Sequence, residues 1–213
     1  MIKNLPKDFR ITSTMEEYEQ YLNLRERRLY ITTEIKDSDS ESDGLYKSKM
    51  MQIVDDIMDY NREDTESHIP PTERTPIRLY INSPGGDVHE GFSLVSTIEL
   101  SKTPIYTINI GQWSSMAFMI GITGHRRFSL PKMMFLMHDG NNGTYDSGSK
   151  AQDRMDFYKR FDSEVVKNHI LKHSKMKADE YDRRVREEVY MLPEDALGYG
   201  FIDEIVTDIN TIL

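Results

Sequence analysis

Apolar residues recur at helical and strand spacings through the first part of the chain. In residues 15–29, tyrosines and leucines alternate with charged residues, which predicts a short amphipathic helix that runs into an apolar strand, Arg28 to Thr32. After an acidic polar stretch, the apolar residues of 45–60 lie along one helical stripe, so a second helix should face the core. The stripe consists of Met50, Ile53, Val54 and Ile57.

A polar stretch from about residue 59 to residue 75 interrupts this pattern. It contains Pro70-Pro71, and from Asn61 onwards it predicts a solvent-exposed loop. Because the segment before it is too small to fold alone, we interpret the loop as an insertion inside a domain and not as a linker.

Units of strand, turn and helix follow from Pro76. The first comprises a strand (77–82), a tight turn (83–86) and a helix from Val88, and the second a strand (103–110), a turn (Gly111-Gln112) and an apolar helix (114–122). The remainder predicts short strands at 128–130 and 133–138, helices at 151–173, 179–189 and 193–200, and a last strand at 201–206. This alternation predicts an α/β layered domain with a mainly parallel sheet.

Composition and charge narrow the function classes. With 38% hydrophobic and 30% charged residues, the 213-residue chain predicts one globular domain, 1–213, with an N-terminal segment at about 1–20. A formal net charge of −9 argues against a nucleic-acid partner. The absence of cysteine excludes a disulfide, a thiolate metal site and a thiol nucleophile. With no secretory signal and no apolar stretch of ~18 residues, we expect no membrane association and a cytoplasmic location.

Two junctions between a strand and a helix carry candidate chemistry, because backbone N–H groups are unpaired there. Gly85-Gly86 lets the backbone approach a ligand closely, although a plain glycine turn is the alternative. Ser115 is predicted in the first turn of an apolar helix, where its hydroxyl faces the strand ends and the amide of Met116 is available as a donor. The alternative for Ser115 is a helix cap, a role for which Ser114 competes.

His138 ends the apolar run 133–137, so it should stand at the end of a buried strand. A histidine there is a general base if a serine lies within about 3 Å, and otherwise a hydrogen-bonded structural residue. His169 and His173 have a helical spacing that suits a metal, but their polar surroundings predict an exposed helix face.

Several segments together resemble the proteolytic subunits of Clp proteases in order, spacing and residue type. The resemblance extends from about residue 20 to residue 207, and its segments are Leu24–Leu29, Tyr80–Gly86, Gly111–Met116, Arg127–Pro131 with Met137-His138, Glu194–Ala196 and Tyr199–Asp203. It implies the layered α/β fold shared with crotonases, with repeated β-β-α units, a mainly parallel sheet and a protruding handle helix at about 139–175.

The resemblance also implies a serine endopeptidase that hydrolyses unfolded polypeptides through an acyl-enzyme. Position by position, Ser115 matches the nucleophile, His138 the general base, and the amides of Gly86 and Met116 the oxyanion donors. The third residue of the family's catalytic triad is usually an aspartate. An ungapped count back from Tyr199-Gly200 gives Glu188 at that position.

The third position is the one where alternatives stay open. If the alignment slips, Glu187, Asp182 or Asp195 would serve, and each of these is otherwise a solvated charge. The sequence also departs from the family at Trp113, which replaces a small residue and would crowd the substrate cleft or pack beneath it. The shorter helix after Ser115 and the insertion at 59–75 are further departures, as expected of a divergent member such as a phage-encoded one.

Partners follow from the resemblance alone. It implies a homo-oligomer of two stacked heptameric rings that works with a separate AAA+ unfoldase; the chain has no phosphate-binding Gly-x-x-x-x-Gly-Lys-Ser/Thr loop of its own. We expect no cofactor, nucleotide or metal. The alternatives are a phage capsid-maturation protease of the same fold, a crotonase-like enzyme, and an inactive ring subunit. The presence of both Ser115 and His138 counts against the last two.

Overall fold

A computed structural model describes residues 15–36, 48–140 and 148–213 of the chain. The described residues form seven strands: β1 (Arg28–Ile31), β2 (Ile77–Ser83), β3 (Ile105–Ser114), β4 (Arg126–Ser129), β5 (Met134–Met137), β6 (Val189–Met191) and β7 (Glu204–Ile205). They also form eight α-helices: α1 (Met15–Arg25), α2 (Lys49–Glu66), α3 (Val88–Leu100), α4 (Met116–Ile122), α5 (Gly148–Phe161), α6 (Lys167–Lys172), α7 (Ala178–Arg184) and α8 (Pro193–Tyr199).

The long strand β3 organises the sheet. The strands follow the spatial order β1-β2-β3-β4-β7, with every pair parallel. The first half of β3 pairs with β4 through Tyr106–Asn109, and its second half pairs with β5 through Gln112–Ser114. Only the pairing of β5 with β6 is antiparallel among the described strands. The predicted α/β class with a mainly parallel sheet is therefore confirmed.

Helix α4 lies inside the core. All seven of its residues are buried, as expected for a helix that is apolar on every side. It contacts α3, α6 and the sheet, so the helix that follows Ser115 is enclosed by protein. The predicted stripe of α2 is also buried, with Ile53 and Ile57 in the same core cluster.

The predicted exposed loop at 59–75 is wrong. Helix α2 continues to Glu66, and Pro71–Glu73 form a 3-10 turn. The polar residues are held by partners far along the chain: Asp64, only 2% exposed, accepts two hydrogen bonds from Arg27 at 2.7 and 2.9 Å. Local polarity alone could not predict this burial.

Thr103 completes the network around this ion pair. Its hydroxyl donates to Asp64 at 2.7 Å and accepts from the buried guanidinium of Arg74 at 3.3 Å. The side-chain oxygen of Asn61 accepts the backbone N–H groups of Lys102 and Thr103 at 3.0 and 3.1 Å. The segment predicted to be a loop therefore fastens α2 to the turn before β3.

Other element boundaries also differ from the predictions. Gly111-Gln112 is not a turn but part of β3, because Gln112 pairs with Met134 on β5. The predicted helix 179–189 ends at Arg184, and Val189 begins β6. The predicted helix 151–173 is α5 and α6 joined by a π-helical turn, Asp162–Val166. The last strand has only two residues.

Parts of three predicted segments lie outside the described residues, namely 1–14 of the N-terminal segment, 45–47 of the helical segment 45–60 and 141–147 of the handle. Within the described ranges, no helix combines the length and apolar character needed to cross a membrane.

We predict that Asp64→Asn lowers the free energy of unfolding by about 2–3 kcal/mol, because Arg27 and Thr103 lose their charged partner in a buried site. The hydrogen bonds from Arg27 lower the pKa of Asp64. Its contribution is therefore present above the unfolded pKa of about 3.9 and lost as pH falls through the folded pKa. Urea unfolding at pH 7 and along an acid series measures both effects.

The matched control is the exposed neighbour Glu63→Gln, which should change stability by less than about 0.5 kcal/mol. An Asp64→Asn protein as stable as the wild type at pH 7 would show that this network does not contribute to the free energy of unfolding.

Candidate active site

Ser115 occupies the sharp junction between β3 and α4. Its backbone dihedrals are φ 55° and ψ −124°, a region that costs a non-glycine residue about 1–3 kcal/mol. Its N–H donates to the carbonyl of Leu136 at 3.0 Å, and its own carbonyl accepts the N–H groups of Phe118 and Met119 at 3.0 and 3.2 Å. Ser115 therefore precedes the helix and is not in its first turn, and its side chain makes no capping hydrogen bond. A strained serine at such a turn is the geometry of a nucleophile elbow.

The Gly85-Gly86 loop lies directly against this junction. Both glycines have positive φ, at 97° and 139°. A Cβ on Gly85 would stand 2.6 Å from the Ser114 carbonyl oxygen, 2.7 Å from Ser115 Cβ and 2.9 Å from the Met116 nitrogen. Only glycine permits this approach. The two candidate oxyanion segments are therefore in close contact, which a plain glycine turn would not require.

The orientation of the Gly86 amide follows from its pairing with Ile35. The Ile35 N–H donates to Gly85 and the Ile35 carbonyl accepts from Asp87, each at 2.8 Å, around a parallel bridge between Ile35 and Gly86. In a parallel ladder, the residue between two such bonds points its own N–H away from the partner strand. The Gly86 N–H is therefore not used by Ile35 and remains available as a donor.

A cavity of about 710 Å³ joins four of the predicted site residues, a size typical of ligand pockets. Gly86, Ser115, Met116 and His138 all line it. Its other walls come from the start of α3, from the long helix of α5 and α6, and from α7; they include Val88, Phe92, Tyr158, Phe161 and Val185. Glu188 does not line this cavity.

His138 follows directly after β5 and is half-buried. The next residue, Asp139, donates its N–H to Val185 at 2.9 Å, which ties this segment to the end of α7. No hydrogen bond joins the Ser115 hydroxyl to the His138 ring in the described part of the chain. Such bonds often form only when substrate is bound, so a shared cavity is the relevant geometry in the free protein.

The pairing of β5 with β6 ends at Met137 and Val189, one residue before His138 and one after Glu188. Leu136 pairs with Tyr190 and Met137 with Val189, so the next residues in the same register are His138 and Glu188. Residues directly opposite in an antiparallel pair share one face of the sheet. The Glu188 carboxylate accepts a hydrogen bond from the Tyr190 hydroxyl at 3.0 Å.

The other candidates for the third residue of the triad lie in different environments. Asp182 lines the cavity but is ion-paired with Lys167 at 2.7 Å. Asp195 accepts the N–H of Leu192 at 3.0 Å, which is a helix-capping role at the start of α8. Glu187 is exposed. The strand register thus favours Glu188, and its role stays a prediction.

Trp113 packs beneath the site. Its side chain is 0% exposed, and its ring meets Phe135 edge-on at a centroid distance of 5.4 Å. A Cβ on Gly121 of α4 would lie 2.4 Å from the indole ring, so this glycine makes room for the ring. The indole Nε1 has no hydrogen-bond partner among the residues that the structure describes. Trp113 was predicted either to crowd the substrate cleft or to pack beneath it, and it packs beneath it.

The prediction that His169 and His173 lie on an exposed helix face is wrong. His169 is 7% exposed, and burial lowers its pKa to about 4. Its Nε2 lies 3.1 Å from the Met119 carbonyl oxygen on α4. The missed signal is Ile170, a buried neighbour that places this turn of α6 against the core.

We predict that Ser115→Gly is more stable than Ser115→Ala by about 1 kcal/mol, because glycine adopts positive φ without strain and this relief exceeds its entropic cost. Urea unfolding of the two variants measures the difference. The matched pair is Ser114→Gly and Ser114→Ala; Ser114 lies in β3 and is not among the positive-φ residues, so there glycine should be the less stable by about 0.5–1 kcal/mol. Equal stabilities of the two Ser115 variants would show that the turn is not strained.

Comparison with known protein families agrees with this geometry. A family model described as Clp protease matches residues 13–208, which is most of the chain. The matched range contains the Gly85-Gly86 loop, the Ser115 turn, His138 and Glu188. The chain therefore belongs to the Clp protease family.

Proposed function

We propose that this chain is a serine endopeptidase, the proteolytic subunit of an ATP-dependent Clp-type protease. One observation carries the proposal: a strained Ser115 shares a cavity with His138 and with the segments that bear the Gly86 and Met116 amides. Ser115 is then the nucleophile, His138 the general base and Glu188 the residue that orients it. A crotonase-like activity would not require this pairing of serine and histidine.

The reaction is acyl transfer in two halves. The Ser115 oxygen attacks the peptide carbonyl carbon while His138 accepts the serine proton, and the Gly86 and Met116 N–H groups donate to the resulting oxyanion. His138 passes its proton to the leaving amine as the C–N bond breaks, which leaves an ester on Ser115. A water molecule, deprotonated by His138, then attacks this ester, and the acid product leaves as the serine regains its proton.

The cavity walls support a polypeptide substrate. Val88, Phe92 and Phe161 supply apolar surface, while Asp87 and Lys159 supply charge. A lining of this kind suits side chains of varied chemistry, as in unfolded polypeptides. The chain would act in the cytoplasm, and we propose no nucleic-acid partner and no cofactor in this reaction.

The long helix supports a homo-oligomeric assembly. Met155 and Phe157 on α5 and Val165 in the π-helical turn are exposed, Phe157 by 56%. Exposed apolar side chains on one segment suit a contact between copies, here the interface of two stacked heptameric rings. A separate AAA+ unfoldase would supply the ATP-dependent step. A phage capsid-maturation protease of the same fold would share the site and differ in its partners.

We predict that Ser115→Ala lowers kcat for a fluorogenic peptide by about 10⁴-fold or more, because no other group can form the ester. Ser115→Ala should also abolish labelling by a fluorophosphonate, which mass spectrometry of the labelled peptide would locate. Ser114→Ala is the matched control and should label and cleave like the wild type. A wild-type assembly that neither labels nor cleaves would favour the inactive ring subunit.

We predict that Glu188→Gln lowers kcat by about 10²-fold or more with little change in KM, because the amide no longer stabilises the imidazolium form of His138. Steady-state kinetics across pH measures the effect. Glu187→Gln, the adjacent alternative, should behave like the wild type, and a larger loss in it than in Glu188→Gln would assign the role to Glu187. A larger loss in Asp182→Asn or Asp195→Asn would assign the role to that residue instead.

A further inference from the structure

Three metal-ligating side chains converge between α3 and α6, beside Met119 and Thr123 at α4. Glu99 lies near the end of α3, and His169 and His173 lie one turn apart at α6. The Glu99 Oε1 atom is 3.7 Å from His169 Nδ1 and 2.9 Å from His173 Nε2. One ligand atom from each of the three residues lies within 4.8 Å of the others. The reaction proposed above uses none of these groups.

The spacing fits a tetrahedral metal ion. With metal–ligand bonds of about 2.0–2.1 Å, as zinc forms with imidazole and carboxylate, neighbouring ligand atoms in a tetrahedron are roughly 3.3 Å apart. Two of the three separations, 3.7 and 2.9 Å, lie on either side of that value, and the third is within 4.8 Å. Small side-chain rotations would therefore complete the site without moving the helices.

The surroundings of His169 fix the ring in the orientation that a ligand needs. A backbone carbonyl can only accept, so the His169 Nε2–H donates to the Met119 carbonyl at 3.1 Å, and the Thr123 hydroxyl lies 3.2 Å from the same nitrogen. The unprotonated Nδ1 lone pair then faces Glu99. Histidine ligands of metals characteristically donate their other N–H to a carbonyl or carboxylate in this way.

We propose that Glu99, His169 and His173 form a site for a zinc-like divalent transition metal. A fourth position is left for water or another ligand, as in zinc sites with two histidines and one glutamate. His173 would bind through Nε2 with its ring proton on Nδ1. This inference replaces the expectation of no metal and is independent of the proposed peptidase activity.

Lys172 is the group that competes with the metal. Its Nζ donates to Glu99 Oε1 at 2.8 Å, and its side chain is 62% exposed. In the metal-free protein this ammonium supplies positive charge to the carboxylate. Because the side chain is exposed and flexible, it can move into solvent when a metal ion takes its place. The competition lowers the affinity but does not block the site.

A metal here would connect the elements that carry the active site. Helix α3 begins after the Gly85-Gly86 loop, and α4, whose Met119 carbonyl holds His169, begins after Ser115. The long helix that lines the cavity ends at α6. The ion would therefore clamp α6 to α3 directly and hold His169 in its contact with α4, and we assign it a stabilising role.

Zinc binding to the chelator-treated full-length protein tests the proposal, by competition with a chromophoric chelator and by isothermal titration calorimetry. We expect one Zn²⁺ per chain, a higher midpoint of thermal unfolding and no comparable binding of Mg²⁺, which prefers oxygen ligands. Co²⁺ should give the visible absorption of a tetrahedral site.

Variants of the partly exposed ligands avoid the risk that a change at buried His169 prevents folding. Glu99→Gln and His173→Ala should each weaken Zn²⁺ binding at least about 10-fold, with unchanged circular dichroism. Lys172→Gln should bind Zn²⁺ more tightly than the wild type. His68→Ala, an exposed histidine elsewhere, is the matched control and should leave binding unchanged. Absence of stoichiometric binding, or binding that survives both ligand variants, would overturn the proposal.

Discussion

The strained turn at Ser115 is the constraint on which the arrangement of the site depends. Ser115 keeps φ 55° and ψ −124° only because hydrogen bonds hold it on both sides. The Leu136 carbonyl on β5 accepts its N–H, and its own carbonyl accepts N–H groups from the first turn of α4. Relaxation into an ordinary helix cap would break the pairing with Leu136 and turn the side chain away from the cavity. The packing energy of the surrounding core thus maintains a local conformation that the chain would not choose by itself.

The sizes of the residues around the turn allow Ser115 to keep this strained conformation. Gly85 has no Cβ, which would otherwise collide with Ser115, and Gly121 leaves space for the Trp113 ring. The Trp113 ring in turn packs edge-on against Phe135 of β5, the strand that leads to His138. A large residue under the turn is therefore part of the support for the nucleophile and the base, and does not narrow the cleft.

Much of the fold and of the site could be predicted from local pattern. The period-two runs of β1 and β2, the apolar helix after Ser115 and the glycine pair at the end of β2 are local features, and a parallel sheet brings the ends of its strands to one edge. The resemblance to Clp proteases implied that Ser115, Gly86, Met116 and His138 lie near one another, and they line one cavity. The exact conformation of Ser115 was not predictable, because it depends on contacts with β5 and with the Gly85-Gly86 loop.

The fold class, the family and the residue types available for chemistry could be predicted without coordinates, because they follow from spacing and from motifs that are continuous along the chain. Which polar residues are buried depends on contacts in the folded chain. Asp64 is paired across 37 residues with Arg27, and His169 lies against Thr123 across 46 residues. The free energy of burying a polar group depends on its partner, and the spacing of residues along the chain does not identify a partner so distant.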